Sequence, residues 1–314
     1  AAGPMYAGSW RGERVGACTD CRNLWARYRA GEFDDQAITD SRSQLAPTGG
    51  TCMVMGTAST MAIVVESLGL ALVGTATAPA PSGQRLRDGV ATGRRAVGLA
   101  VESLRPSSIV TEDSIVNALT TLVAIGGSTN AVVHIAAIAR RAGVTTPVLD
   151  LLDRVSKVTP LIVDCKPAGS GYLPDVHEAG GTSSIFAALR PLLVGTTRTV
   201  HGASLGDVLA QAPSLPPWQR IVRSMEDPVG PPGGLVVLRG TLAPDGAVLK
   251  RSATDGALAH HRGPAVVFES PDDLADRIDD PILGITSQHV IVLRNAGPVG
   301  AGMPEAGSAP IPRH

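Results

Sequence analysis

The chain has 314 residues, 44% of them apolar and only 3% aromatic, with a formal net charge of −1. This length suits one large or two ordinary domains with a core packed from Ala, Val, Leu and Ile, and the charge gives no electrostatic case for nucleic acid or an anionic membrane surface. No apolar run reaches the roughly 18 residues of a membrane span, the start Ala1-Ala2-Gly3-Pro4-Met5 is not a secretory signal, and four cysteines in such a chain make no disulfide framework, so a reducing cytoplasm is the expected setting.

Residues 1–22 read as irregular. They contain Cys18-Thr19-Asp20-Cys21, a CxxC with no second pair or histidines at ligand spacing. A loop with two incidental thiols, a redox pair and a metal site all stay open for it, although a thioredoxin-type pair would want a strand before it and none is evident. A helix is predicted from Asn23 to Ala30, closed by Gly31, and a second from Asp34 or Asp35 to about Leu45, stopped by Pro47.

Next comes Gly49-Gly50-Thr51-Cys52-Met53-Val54-Met55-Gly56-Thr57-Ala58-Ser59-Thr60-Met61. Gly49, Gly50 and Gly56 permit positive φ and close backbone approach. Thr57 and Ser59 are expected to cap a helix running to about Ser67. A cysteine ahead of a helix N-terminus is favoured as thiolate, the form a nucleophile or metal ligand needs. The competing reading is a buried apolar cysteine.

Thr77-Ala78-Pro79-Ala80-Pro81 is a turn, and Ser82 to Ser103 a long helix with Leu86, Val90, Val97 and Leu99 near helical period. Arg85, Arg87, Arg94 and Arg95 between them read as a solvated face. Thr111-Glu112-Asp113 opens a helix to Ala124, and another is predicted from Ala131 to Ala142. The intervening Ile125-Gly126-Gly127-Ser128-Thr129-Asn130 is not a P-loop, having no lysine in place. It suits a polar-lined anion site, or equally tight helix packing with Ser and Thr as caps. His134 reads as an ordinary helical histidine.

Leu161 to Asp164 is predicted as a strand; Asp175, His177 and Glu178 as a helix-capping cluster; Ser183 to Leu189 as a helix. After about Gly195 proline-rich loops give way to short apolar runs at 235–238, 247–249, 265–268 and 290–293, with a helix from Asp272 to Ile278. The expected class is α/β: a mostly helical α/β domain over 1–195, then a β-rich, barrel-like domain over 196–314. The closing Arg294-to-Glu305 segment runs a strand into a Gly/Pro loop bearing one carboxylate. Glu305 suits a hard cation such as Mg²⁺, or is an ordinary loop glutamate.

Four ordered blocks carry a resemblance: the Cys52 segment, Ala124 to His134, Gly240 to Lys250, and Gly297 to Glu305. Together they resemble the dehydratase family that includes dihydroxy-acid, phosphogluconate and aldonate dehydratases, with the sugar-acid members nearest in wording. The resemblance implies an iron–sulfur cluster, [2Fe-2S] or [4Fe-4S], with Cys52 as one ligand, and Mg²⁺ with Glu305 as one ligand. Thr57, Ser128, Thr129 and Asn130, small polar residues of the first two blocks, are the candidates for active-site lining. The resemblance also implies a small hydroxy-acid substrate and a full-length homodimer. The family reaction turns a 2,3-dihydroxy acid into a 2-keto acid. Mg²⁺ holds the carboxylate and 2-hydroxyl, a serine takes the C2 proton, and the cluster polarises the departing 3-hydroxyl.

The family's other cluster cysteines, its further Mg²⁺ ligands with a carbamylated lysine, and its catalytic serine find no counterpart here. Cys18, Cys21 and Cys165 do not map onto the missing ligands, and the Gly300-to-Met303 stretch is one residue short of the family pattern. With no initiator methionine, the chain is therefore expected to be the middle of a longer enzyme, inactive and colourless alone. The alternatives are a branched-chain dihydroxy-acid dehydratase and a non-catalytic remnant or partner subunit.

Overall fold

The computed structural model describes residues 3–17, 19–212, 215–254, 256–297 and 312. It is a mixed α/β structure, mostly helical up to residue 210, with short strands after 235. The chain divides into two compact units, residues 1–21 with 40–253 and residues 22–39 with 254–314. No described helix is long and apolar enough to cross a membrane.

The larger unit opens with a hairpin where irregular chain was expected: β1 (Gly8–Trp10) against β2 (Glu13–Val15), Trp10 opposite Glu13. Its two turn residues, Arg11 and Gly12, have φ of 51° and 83°, as a mirror-image two-residue turn requires. Arg-Gly lacks the Asn or Asp that usually signals such a turn, so the hairpin left little trace in sequence. α1 (Thr19–Arg29) begins at Thr19 rather than Asn23. Asp20 in its first turn accepts the Gly16 N–H at 2.8 Å. Cys21 thus occupies the start of a helix that follows a strand, a context not evident from the sequence; Cys18 lies outside the described residues.

The next helices fall where predicted: α2 (Asp35–Leu45), α3 (Thr57–Ser67), α4 (Gly83–Val101), α5 (Glu112–Ala124) and α6 (Asn130–Arg141). α5 starts with a capping box between Thr111 and Ser114. α7 (Val148–Ser156) was not foreseen. It is short and has no side-chain cap, yet buries Val148, Leu151, Leu152 and Val155. α8 (Leu173–Glu178), α9 (Gly181–Leu189) and the short α10 (Leu205–Ala210) complete the helical part. Asp175 caps α8 by accepting the Tyr172 N–H at 2.8 Å.

α5 is the axis of this unit, packing against α3, α6, α7 and α9. One cluster of buried side chains gathers Val64, Leu68, Leu119, Leu122, Ile135 and Leu152. A second gathers Met55, Ile63, Ile125, Ile162, Leu173 and Phe186. Each such side chain contributes about 1.5–3 kcal/mol of burial. The Leu161–Asp164 segment pairs only through isolated bridges, Leu161 with Gly230 and Val163 with Val222. β3 (Val236–Gly240) and β4 (Ala243–Leu249) form an antiparallel hairpin.

In the smaller unit β5 (Ala265–Phe268) and β6 (Val290–Leu293) run parallel, with α11 (Pro271–Arg277) between them in sequence. Phe268, Leu274 and Ile278 form its core. Arg29 holds Asp279 with two bonds of 2.7 and 3.0 Å. The barrel expected of the β-rich part is not found among the described residues. The described strands form three two-stranded sheets, and a barrel needs every strand paired on both edges.

Candidate functional site

The Cys52 loop is fixed by backbone bonds from far along the chain. Thr51 donates to the Gly3 carbonyl and accepts from the Met5 N–H, both at 2.8 Å. Met55 N–H donates to the Lys166 carbonyl at 2.8 Å, and Leu173 N–H to the Met53 carbonyl at 2.7 Å. Gly50 has φ +140°, and a Cβ there would lie 2.8 Å from the Gly3 oxygen. Of the three glycines expected to supply freedom, Gly50 alone has positive φ. Gly56 is the N-cap of α3 in extended conformation, with no side-chain cap. Thr57 and Ser59 therefore do not cap α3. Ser59 Oγ instead donates to the Cys52 carbonyl at 3.2 Å.

Cys52 is half-buried. Its thiol donates to the Ala17 carbonyl at 3.6 Å, and the Ala17 N–H reaches Met53 Sδ at 3.1 Å. Behind the loop is a knot of charged and polar groups. Lys166 Nζ donates to Asp20 Oδ1 at 2.7 Å and contacts Tyr172 Oη at 2.8 Å, while Tyr172 Oη donates to Asp20 Oδ2 at 2.7 Å. Burial raises the Tyr172 phenol above its ordinary value. Desolvation pulls the Lys166 ammonium down, but its bonds to Asp20 and Tyr172 together outweigh that and leave it raised.

The second motif meets the first through hydroxyls. Thr57 Oγ1 and Ser128 Oγ are 2.8 Å apart, and Asn130 Nδ2 donates to Thr57 Oγ1 at 3.3 Å. Ser128 N–H donates to Thr60 Oγ1 at 3.0 Å. Gly127 makes this approach possible, since a Cβ there would come within 2.6 Å of Leu122 Cδ1 and 2.7 Å of Thr60 Cγ2. Thr129 is the N-cap of α6 without a side-chain cap bond. The structure thus joins Thr57, Ser128 and Asn130 in one network, with Thr129 beside them on the chain. Glu305 and the closing loop from Pro298 lie outside the described residues.

Two ionisable groups are shifted by burial, the half-buried Lys250 beside the second loop and the fully buried Glu66 away from both loops. Lys250 donates to the Gly126 carbonyl, and burial pushes its ammonium down to about 8. Glu66, at the far end of α3, accepts from Gly74 N–H at 2.9 Å, from Thr75 Oγ1 at 3.1 Å and from Ala76 N–H. Burial still pushes its carboxyl up to about 7. Cys165 is fully buried, and desolvation pushes its thiol up to about 12, the behaviour of a structural cysteine. Lys166, Tyr172 and Lys250 were not singled out in the sequence; Lys250 was visible only as the end of a resembling block. Among the described residues no group of three His, Cys, Asp or Glu side chains converges as metal ligands.

Two family models match the chain: dihydroxy-acid/6-phosphogluconate dehydratase N-terminal over residues 1–208, and its C-terminal counterpart over 220–313. The chain belongs to this dehydratase family. It is 39% identical over 316 residues to a 6-deoxy-6-sulfo-D-gluconate dehydratase of Pseudomonas putida and 40% over 314 residues to an L-arabinonate dehydratase of Rhizobium leguminosarum. Each alignment covers 99% of this chain and 54% of the relative. A dihydroxy-acid dehydratase of Dehalococcoides mccartyi is 36% identical over 309 residues, 96% of this chain and 54% of the relative. The chain spans about half the length of the curated relatives it matches. Within the dehydratase family models, the Cys52 and Gly126–Asn130 loops fall in the N-terminal match, and Lys250 and Glu305 in the C-terminal one.

Proposed function

We propose that this stretch carries part of the active site of a hydro-lyase that dehydrates a 2,3-dihydroxy acid, foremost a sugar acid, to a 2-keto-3-deoxy acid. The substrate loses the C2 proton and the C3 hydroxyl as water, and the resulting enol tautomerises to the ketone. The supporting observation is alignment over 99% of the chain with relatives named for dehydrating L-arabinonate and 6-deoxy-6-sulfo-D-gluconate.

Cys52 is our candidate for one iron–sulfur ligand and Glu305 for one Mg²⁺ ligand. The described residues supply no complete donor set for either group. Metal centres of this kind supply Lewis-acid polarisation when bound. The work of this chain's residues is positional. The Thr57, Ser128 and Asn130 network offers hydroxyl and amide groups that match a polyhydroxylated chain, and Lys166, Asp20 and Tyr172 hold the loop that carries Cys52.

The test is 2-keto acid formation by the product of the complete reading frame encoding this stretch, prepared anaerobically with iron and Mg²⁺. L-Arabinonate, D-gluconate and 2,3-dihydroxy-3-methylbutanoate would be compared. A sugar acid should be turned over with the highest kcat/KM. Preference for the branched acid would transfer the reading to the dihydroxy-acid branch, and no product from any of the three would overturn it. The 314-residue chain alone should be colourless and form no product.

A further inference from the structure

Leu161, Ala168 and Ser252 meet at a cavity of about 270 Å³ within the larger unit. It backs onto Gly126, the residue that opens the hydroxyl turn. Gly126 has φ +58°, and a Cβ there would stand 2.9 Å from Leu161 Cδ1, 3.4 Å from Ala168 Cβ and 3.9 Å from Ser252 Oγ. The rest of the wall comes from the segment 229–234 and from Arg251. Two prolines without donor N–H groups keep this segment out of regular structure, and cross-bonds hold it in place. Leu161 and Gly230 exchange N–H bonds of 3.0 and 3.1 Å, Ser252 N–H donates to the Gly234 carbonyl at 3.0 Å, and Arg251 Nη2 donates to the Pro232 carbonyl at 2.8 Å.

The cavity contains a loose end. Ser252 Oγ is buried and meets no hydrogen-bond partner. A hydroxyl withdrawn from water and left unpaired is destabilising, so it calls for a partner that the protein does not itself supply. Arg251 is the ionisable residue of the wall, and no carboxylate stands with it among the described residues that line the space. Lys250, its neighbour in sequence, brings a second cation to the Gly126 carbonyl. A hydroxyl flanked by cations, with no carboxylate to oppose it, selects an oxyanion, to which hydroxyl and guanidinium both donate. The volume falls below the roughly 300–1,000 Å³ of ordinary ligand pockets, so the guest is one anionic group on a short stem.

We propose that this cavity binds a small oxyanion, a phosphate, sulfonate or carboxylate group, through the Ser252 hydroxyl and the Arg251 guanidinium. Such an anion rests behind Gly126 and so behind the turn that presents Ser128 and Asn130. It is either the far end of an acidic substrate or a separate anion that acts on the turn. Anion binding by the chain stands apart from the dehydratase reading, so the two can fail independently.

Inorganic phosphate titrated into the 314-residue chain by calorimetry at constant ionic strength tests this. The expected result is one saturable site in the low millimolar range, weakened at least tenfold by Arg251→Gln and at least threefold by Ser252→Ala. Ser252→Ala should not lower the melting temperature, since the hydroxyl it removes has no partner to lose. Arg140→Gln, at an exposed arginine elsewhere, should leave binding unchanged. No saturable binding up to tens of millimolar, or binding indifferent to the Arg251 and Ser252 substitutions, would overturn the site. The product of the complete reading frame separates the two sources. If the cavity holds the far end of the substrate, Arg251→Gln lowers kcat/KM for the terminal phosphate ester of D-gluconate at least tenfold more than for D-gluconate. If it holds a separate anion, phosphate alters turnover of both alike, and Arg251→Gln removes that response.

Discussion

Two loops lead into two helices at the site; both combine buried packing with polar ties, and the weight of the two differs. Residues 50–56, ahead of α3, are pinned chiefly from outside by bonds to Gly3, Met5, Lys166 and Leu173, with the Lys166, Asp20 and Tyr172 knot behind them. Residues 126–130, ahead of α6, are pinned chiefly from inside, with Gly127 seated on Leu122 and Thr60. A polar frame can fix a half-buried thiol without enclosing it in the core. An apolar seat can hold hydroxyls in register because the packing behind them admits one arrangement. The Cys52 loop should therefore respond more to loss of charge and the hydroxyl turn more to loss of volume.

The largest expected effect is on the apolar seat. Leu122 is fully buried, and Leu122→Ala should cost about 2–5 kcal/mol in denaturant unfolding, with Cys52 labelling rising only as far as global stability falls.

Next come two pH slopes of opposite sign. Lys250, tied to the hydroxyl turn, has its pKa lowered from 10.5 to about 8. Between those values the unfolded chain binds more protons, so this group makes stability rise with pH across that window. Glu66, at the end of α3, is raised from 4.5 to about 7. The folded chain there binds more protons, so its contribution falls as pH rises from 4.5 to 7. Each effect amounts to up to roughly 3 kcal/mol across its window. Lys250→Met and Glu66→Gln should each flatten their own slope in melts taken against pH and leave the other intact.

Lys166→Met should cost about 1–3 kcal/mol by leaving the Asp20 carboxylate short of its cation. Its distinguishing sign is local: faster thiol labelling of Cys52 than the stability loss accounts for. An unchanged labelling rate would remove the knot's role in framing the loop. The smallest effect belongs to Thr57→Val, about 1 kcal/mol for the lost hydroxyl contacts with Ser128 and Asn130. Calorimetry should find it nearly absent when Ser128 is already alanine.

Much of the helical half was legible because caps and period agree. Thr111 before α5, Ser82 before α4 and Gly31 after α1 mark ends that the structure keeps within a few residues. α7 was not legible, since its nine residues carry no capping side chain and its burial comes from neighbours distant in sequence. α4 shows the limit of periodicity, which finds the stripe and does not say which way it faces: Leu86, Val90 and Val97 are exposed, while Arg85 and Arg95 donate to the Ala78 and Val200 carbonyls. At the site, Thr57, Ser128 and Asn130 were picked out as residues, yet their meeting depends on α5 carrying one loop to the other. The Lys166 knot joins residues 146 apart, and no local pattern announces it.

The assignment of Cys52 as a metal-centre ligand is tested most directly by iron content and cluster absorbance of the anaerobically prepared product of the complete reading frame, wild type against Cys52→Ser, with Cys165→Ala as the control. The predicted result is loss of iron, of visible absorbance and of 2-keto acid formation in Cys52→Ser, with all three kept in Cys165→Ala. A Cys52→Ser protein that holds its full complement of iron would contradict it.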